Sequence, residues 1–263
     1  MRPAAAPAPD AVMPPVAALR PIVAMTARHF ADDLQRVAMP QVEAQLVARF
    51  GPSFPGGVDL HAMGPRTQVH RKFIRGGQRA VLARLQPGMY PATLGVSAAE
   101  LKGAPVPLED LWGHARVQRL REQLATAPDA PAAGVWLARA VSERVARTGG
   151  VGAMPSFLNA ALAQLPESNV GAVARALGVS ERHLRRVLQE ALGLGPKTYS
   201  RLKRFGQAVR AAQAGGEVNW SAIAADAGYY DQAHLIAEFQ AIGGSTPRGL
   251  LAELQEGAIA PLS

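Results

Sequence analysis

The stretch Val173-Ala-Arg-Ala-Leu-Gly-Val-Ser-Glu-Arg-His-Leu184 recurs in outline at Ile223-Ala-Ala-Asp-Ala-Gly-Tyr-Tyr-Asp-Gln-Ala-His-Leu235. Each copy predicts a short apolar helix, a turn glycine, an N-cap residue and the start of a second helix. The copies align at an offset of 50 residues through Gly178 and 51 residues after the turn, so the second copy carries one additional turn residue. Helix, glycine-containing turn and helix form a helix-turn-helix motif. The repeat therefore predicts two such motifs in one domain.

The sequence around the repeat predicts an all-α domain at residues 150–263. Apolar residues recur there at helical spacing, and glycines punctuate the pattern at turn positions. The predicted helices are about seven, at 155–164, 169–177, 180–191, 196–213, 220–227, 231–242 and 247–256.

Residues 1–149 predict a second domain of mixed α/β character, in which the first 40 residues give no clear pattern. Short apolar runs at 58–63, 67–74 and 80–85 are separated by Gly and Pro and predict strands of a small sheet or partial barrel. Gly76-Gly77 between two runs predicts a hairpin. Ser97 and Glu100 form a capping box that predicts a short helix, and two longer helices follow at 114–127 and 132–147. The expected fold class is α+β.

Charge is distributed unevenly along the chain. Residues 170–213 hold nine basic and two acidic residues, a net charge of +7, whereas residues 214–263 carry −5. Clustered arginine and lysine indicate either a nucleic-acid surface or a solvated helix face. Residues 60–99 hold six basic residues (arginine and lysine) and no acid. That stretch is compatible with an anion-binding pocket, a second DNA-facing surface, or strand edges protected by charge.

Several classes of function find no support in the sequence. The chain has no cysteine, which removes thiol catalysis and cysteine-ligated metals. Its six histidines lack metal-ligand spacing, and neither a nucleophile elbow nor a P-loop is present. Prolines interrupt the first residues, and glycines and prolines interrupt the uncharged run 148–166, so we expect no signal peptide and no membrane span. The expectation is a cytoplasmic protein, not an enzyme, with no cofactor and no metal.

The two-motif arrangement resembles the DNA-binding domain of the AraC/XylS family of bacterial transcriptional regulators, over residues 150–250. The telling stretches are Ala174-Arg-Ala-Leu-Gly-Val-Ser-Glu-Arg-His-Leu-Arg-Arg-Val-Leu, Leu192-Gly-Leu-Gly-Pro-Lys-Thr-Tyr, the second copy of the repeat and Gly244-Ser-Thr-Pro. The N-terminal stretches Gly64-Pro-Arg-Thr, Leu85-Gln-Pro-Gly-Met and Val106-Pro-Leu-Glu-Asp-Leu are similar to an uncharacterised leader domain of one branch of that family. The resemblance implies two DNA-reading helices about one turn of DNA apart and a regulatory N-terminal domain.

The first reading helix is predicted at 180–191. Leu184, Val187, Leu188 and Ala191 form one apolar stripe, and arginines occupy the opposite face. Arginine suits bidentate hydrogen bonds to guanine in the major groove. By family position, the base-contacting candidates are Arg182, Arg185 and Arg186. The candidates for phosphate contacts are Ser180 at the helix N-terminus and, on the connecting helix, Lys197, Arg201 and Arg204.

The second reading helix departs from the family pattern. The positions that match Arg182, Arg185 and Arg186 hold Ala233, Ile236 and Ala237. Two interpretations stay open: weak base contacts through Gln232 and His234, or a helix that docks without base reading or faces a protein partner.

The expected function is a sequence-specific transcriptional regulator, for which the resemblance makes activation the commoner direction. The alternatives are a non-specific architectural DNA-binding protein and a DNA-targeted enzyme with chemistry in the N-terminal domain. The implied partner is double-stranded DNA. The resemblance adds RNA polymerase, a small-molecule effector and a second copy of the chain as candidate partners, and no membrane.

Overall fold

The computed structural model describes residues 11–13, 21–101, 104–148 and 157–256. The predicted boundary at 149/150 lies outside these ranges. Of the described helices, none is both long and apolar enough to span a bilayer.

An antiparallel sheet of six strands organises the N-terminal half. Its strands are β1 Ala11–Met13, β2 Ile22–Phe30, β4 Gln45–Phe50, β5 Val58–Met63, β7 Gln78–Leu85 and β8 Val106–Pro107. Their order across the sheet is β1-β2-β7-β4-β5-β8, so β1 and β8 form the two edges and the sheet does not close on itself. This result confirms the predicted small sheet and the α+β fold class.

The remaining strands, β3 (Leu34–Ala38) and β6 (His70–Ile74), pair with each other and form a separate two-stranded ribbon. The predicted hairpin at Gly76-Gly77 is therefore wrong, because β6 and β7 belong to different sheets. Gly76 instead allows the backbone at this position to approach the backbone of the β2–β3 turn closely. A Cβ atom on Gly76 would lie 2.7 Å from the carbonyl oxygen of Ala31, in the neighbouring β2–β3 turn.

Helices cover one face of the six-stranded sheet. Their bounds are α1 Tyr90–Leu94, α2 Leu108–Trp112, α3 His114–Ala125 and α4 Ala130–Arg147. Strand side chains alternate between the two faces of a sheet. In β4, Leu46, Ala48 and Phe50 accordingly join the core beneath the helices, which also contains Leu120 of α3 and Leu137 of α4.

The predicted capping box forms, but it does not open a helix. The Ser97 backbone N–H and hydroxyl both donate to the Glu100 carboxylate at 2.7 Å. Residues 98–101 make only a turn. The prediction of a helix there is wrong because Gly103 and Pro105 follow within a few residues, and both residue types end helices.

Seven α-helices follow between residues 157 and 256 in the described structure, as predicted. Their bounds are α5 Phe157–Gln164, α6 Val170–Ala176, α7 Glu181–Leu192, α8 Pro196–Gln213, α9 Trp220–Asp226, α10 Gln232–Glu238 and α11 Pro247–Glu256. The predicted helix 231–242 changes its hydrogen-bonding pattern after Glu238 and ends in a single π-helical turn at Phe239–Gly243.

The two halves are in contact. Val42 lies within the core of the C-terminal helices, and the partly buried Val37, Met39 and Val69 pack against that core. Two backbone hydrogen bonds also cross the interface. The Gly88 N–H donates to the carbonyl of Ala191 at 3.1 Å, and the Val69 N–H donates to the carbonyl of Ile242 at 2.8 Å.

Candidate nucleic-acid interface

The two predicted helix-turn-helix motifs have matching turns. The Val179 N–H donates to the Ala174 carbonyl at 3.0 Å, and the Tyr229 N–H donates to the Ala224 carbonyl at 2.9 Å. The turn glycines Gly178 and Gly228 adopt φ values of 67° and 74°, which side chains with a Cβ disfavour. The sequence repeat is therefore a structural repeat.

Each motif is also capped in the same way. Asn169 and Asn219 accept hydrogen bonds from N–H groups three residues later, at the start of α6 and α9. Ser180 and Asp231 do the same for α7 and α10. Such caps satisfy N–H groups that have no partner within the helix. The sequence reasoning did not single out the two asparagines, although their offset of 50 residues follows the repeat.

Helix α7 presents the strongest cationic face of the repeat. Leu184 and Leu188 are fully buried, whereas the arginines on the opposite face are exposed. Arg185 pairs with Glu181 at 3.2 Å, and Arg186 pairs with Glu190 at 2.8 Å, both within one helix turn. Exposed pairs of this kind contribute about 0–1 kcal/mol. A phosphate or base edge can therefore displace these carboxylates at little cost.

Arg182 lies one turn earlier on the same helix and is exposed. Ser180 uses its oxygen as acceptor for the His183 N–H at 3.2 Å, which leaves its hydroxyl proton available to a phosphate. The structure thus brings the four candidates of the first motif together as exposed residues at the N-cap and in the N-terminal half of α7.

The candidates on α8 have different surroundings. Lys197 is exposed in the first turn. Arg201 donates to both carboxylate oxygens of Glu238, at 3.1 and 2.9 Å, and this hydrogen bonding raises the pKa of Arg201. Arg204 donates to the Gly228 carbonyl at 3.0 Å and lies over the Tyr229 ring. Arg201 and Arg204 therefore join α8 to the second motif, a role that the sequence reasoning missed.

The second motif offers few free polar groups. Gln232 is exposed and accepts a hydrogen bond from Ser221 at 2.8 Å. His234 is half-buried, with its ring packed edge-on against Tyr229 at 5.4 Å between centroids. At the positions that match the arginines of α7, the side chains of α10 are apolar: Ala233 and Ala237 are exposed, and Ile236 packs against the core. This face of α10 contrasts with the arginine face of α7.

A clamp from the ribbon holds the end of the second motif. Arg71 on β6 donates to both oxygens of Glu253, at 2.6 and 2.9 Å, and to the Gly243 carbonyl at 2.9 Å. The hydrogen bonds from Arg71 lower the pKa of the Glu253 carboxyl. Together with the bond from Val69 to Ile242, this clamp fixes the C-terminal end of the second motif to the N-terminal half.

No group of acidic and histidine side chains in the described ranges could hold a metal ion.

Comparison with known proteins identifies the class of this domain. Residues 173–253 match the model of a family described as a helix-turn-helix domain. No curated protein matches the chain. Among solved structures, the chain is similar to the C-terminal domain of AraT, a response regulator from Geobacillus stearothermophilus. The identity is 20%, with 38% of this chain and 88% of that one covered and a TM-score of 0.36. It is also similar to ToxT from Vibrio cholerae, at 9% identity, 87% and 97% coverage and a TM-score of 0.42.

Proposed function

We propose that the protein is a sequence-specific DNA-binding transcriptional regulator of the AraC type, because residues 173–253 match a helix-turn-helix family model. In this proposal residues 150–263 bind double-stranded DNA and residues 1–149 regulate that binding in the cytoplasm. The direction that the AraC resemblance supports is activation.

The proposal rests on one arrangement: two helix-turn-helix motifs have the same caps and turns, and one of them exposes a face of arginines. Helix α7 begins at a capped N-terminus, where the helix dipole favours a phosphate. In the described part of the chain, the exposed Arg185 and Arg186 bond only to side chains of α7 itself. Together with Arg182 they can form bidentate hydrogen bonds with guanine in the major groove.

The two motifs contribute unequally in this proposal. Helix α7 reads bases through its arginines, and Ser180 and Lys197 contact phosphates. Helix α10 contributes weak contacts through Gln232 and His234.

Arg201 and Arg204 position the second motif. The engagement of Arg201 with Glu238 and of Arg204 with Gly228 supports this role, because both bonds hold the second motif at a fixed angle to α8. Arg201 uses only its Nε atom and Arg204 only its Nη1 atom for these bonds, so each retains further N–H groups that can contact a phosphate.

Selection from a random duplex library, followed by fluorescence anisotropy, tests the proposal. The full-length protein should enrich one motif and bind it about 10³-fold more tightly than a shuffled duplex at physiological salt. A reporter gene placed behind the enriched motif should then rise in expression when the protein is present. Failure to enrich any motif, with equal affinity for all duplexes, would show a non-specific architectural protein.

Arginine variants locate the reading helix. Arg185→Ala should weaken binding to the enriched motif by about 1–3 kcal/mol and relax one base position. Arg139→Ala is the matched control, because Arg139 forms the same kind of exposed i,i+4 pair, with Glu143 on α4. Equal loss in both variants, or equal loss on all sequences, would exclude base reading by Arg185. Lys197→Ala should weaken binding to every sequence and reduce the salt slope by about one.

A further inference from the structure

The six-stranded sheet has a second face, which none of the helices α1 to α4 covers. On this face β2 presents Thr26, Arg28 and Phe30, and β4 presents Gln45, Val47 and Arg49. The β3–β6 ribbon lies across the same face. Between ribbon and sheet is a cavity of about 410 Å³. A cavity of this size is within the range of small-molecule sites.

The lining of the cavity is strongly cationic. Eight of its described lining residues are arginine or lysine, and none is aspartate or glutamate. The neighbouring Asp59 is already engaged, because its carboxylate lies 2.8 Å from both Arg49 and the His61 Nδ1 atom. Burial raises the pKa of Asp59, but hydrogen bonds from His61 and Arg49 outweigh burial and bring it to about 2. Asp59 therefore offsets Arg49, and among the described residues it forms no ion pair with Arg66 or Lys72.

Arg66 and Lys72 are the two cationic residues of the cavity at which we expect an anion to bind. In the described part of the chain neither forms an ion pair, and the one hydrogen bond of the Arg66 side chain goes to the Met39 carbonyl at 3.4 Å. Lys72 is exposed to solvent, and partial desolvation by the surrounding protein, together with repulsion by Arg66, Arg49 and Arg28, lowers its pKa. Like charges held together in a partly enclosed space raise the free energy of the folded protein, and a bound anion would reverse that cost.

The remaining lining favours an organic ligand over an inorganic ion. Val47 forms part of the floor and is buried, and Leu82, Met63 and Ile74 add further apolar surface. The cover formed by the ribbon argues against the DNA backbone as occupant. A duplex, whose major groove alone is about 12 Å wide, does not fit beneath it.

We propose that this cavity binds a small organic dianion, of the phosphate-ester type, whose charged group lies against Arg66 and Lys72 and whose apolar body lies against Val47 and Leu82. The site is independent of the DNA-binding surface, and the inference does not rest on the proposed function. It assigns the acid-free stretch 60–99 to anion binding, over the alternatives of a second DNA-facing surface and of charged strand edges.

Calorimetric titration of the full-length protein tests the proposal with three probes. 1-Naphthyl phosphate carries both the dianion and the apolar body, 1-naphthol carries the body alone, and inorganic phosphate carries the charge alone. The first should bind at one site and at least about tenfold more tightly than either of the others. Absence of saturable binding by 1-naphthyl phosphate, or equal binding of 1-naphthol, would overturn the inference.

Charge variants then locate the site. Arg66→Gln and Lys72→Gln should each weaken binding of 1-naphthyl phosphate by about tenfold or more, whereas Lys72→Arg should retain it. Arg139→Gln removes the same charge from an exposed surface of the same half and should have no effect. Thermal melts of each variant separate loss of binding from loss of folding. Equal affinity in Lys72→Gln, Arg66→Gln and Arg139→Gln would overturn the inference.

A last titration separates the site from DNA binding. Addition of a duplex of about two helical turns should leave the affinity for 1-naphthyl phosphate unchanged. Displacement by the duplex, together with weaker DNA binding in Lys72→Gln, would identify the stretch as a DNA-facing surface and overturn the inference. Failure of the proposed regulator function would be detected separately, by fluorescence-anisotropy measurements of DNA binding by the wild-type protein and by Arg185→Ala.

Discussion

Replacing Arg71 by alanine should loosen the second motif from the N-terminal half without unfolding either. Arg71 is the side chain through which the ribbon reaches Glu253, the Gly243 carbonyl and the Ser245 hydroxyl. All three partners belong to the end of the second motif or to the segment after it. The variant therefore removes one side chain and four hydrogen bonds across the interface at once, two of them to Glu253.

The magnitude follows from exposure and geometry. The Arg71 and Glu253 side chains are 42% and 32% exposed, so solvent screens much of their attraction. Pairs at such sites contribute about 0.2–1 kcal/mol, and a hydrogen bond to a carbonyl adds about 0.5–1.5 kcal/mol. We expect Arg71→Ala to lower the free energy of unfolding by about 1–2 kcal/mol.

Chemical denaturation of Arg71→Ala, Glu253→Ala and the double variant measures the pair itself. The coupling energy should be about 0.5–1 kcal/mol at pH 7. Because Arg71 lowers the pKa of Glu253, this stabilisation is present above the unfolded value and is lost as pH falls below about 4.

Two further measurements complete this test. Amide exchange at Val69 should accelerate in Arg71→Ala, because the Val69 N–H bond to Ile242 loses a neighbouring contact. Arg75→Ala, an exposed arginine just after β6, is the control and should change stability by less than about 0.5 kcal/mol. A coupling energy of zero between Arg71 and Glu253 at pH 7 would show that this pair does not stabilise the interface.

Three further predictions concern single positions. Gly178→Ala and Gly193→Ala place a Cβ at nearly the same φ, 67° and 68°, but only the second meets backbone, 2.9 Å from the Ala98 oxygen. Denaturation should therefore show a loss of about 1 kcal/mol for the first and clearly more for the second. Asp231→Ala removes the cap of α10 and should cost about 1 kcal/mol in the same assay, whereas Asp231→Asn should retain most of the stability. Asp59→Asn should cost about 2 kcal/mol at pH 7, a difference that fades as pH falls from about 4 to 2 and the wild-type carboxyl is protonated. A stability difference for Asp59→Asn that does not vary with pH would contradict this account.

The C-terminal helices were predictable because the signals there are local. Caps, turn glycines and apolar periodicity all lie within a few residues of one another, and α8 and α11 begin and end where the sequence indicates. The repeat supplied a second copy of each signal. What the repeat could not show is the pairing of Arg201 with Glu238, because these residues are 37 positions apart and on different helices.

The N-terminal half was less predictable because its order depends on pairing between distant strands. Gly76-Gly77 carries a local hairpin signal, yet β6 leaves β7 and pairs with β3. That choice places Arg71 within reach of Glu253 and brings both Arg71 and Lys72 to the lining of the cavity. The cationic stretch was visible in the sequence, but the cavity that gathers its charges was not.

Helix α8 gives the two motifs a common axis. It runs without interruption for 18 residues, which corresponds to about 27 Å. Inserting one residue into it would turn one motif by about 100° relative to the other. On DNA, moving two contact sites apart by one base pair rotates them by only about 34°. In the proposed DNA complex, the length of α8 sets the distance between the two contact sites, and substitutions on α7 can change base preference without changing that distance.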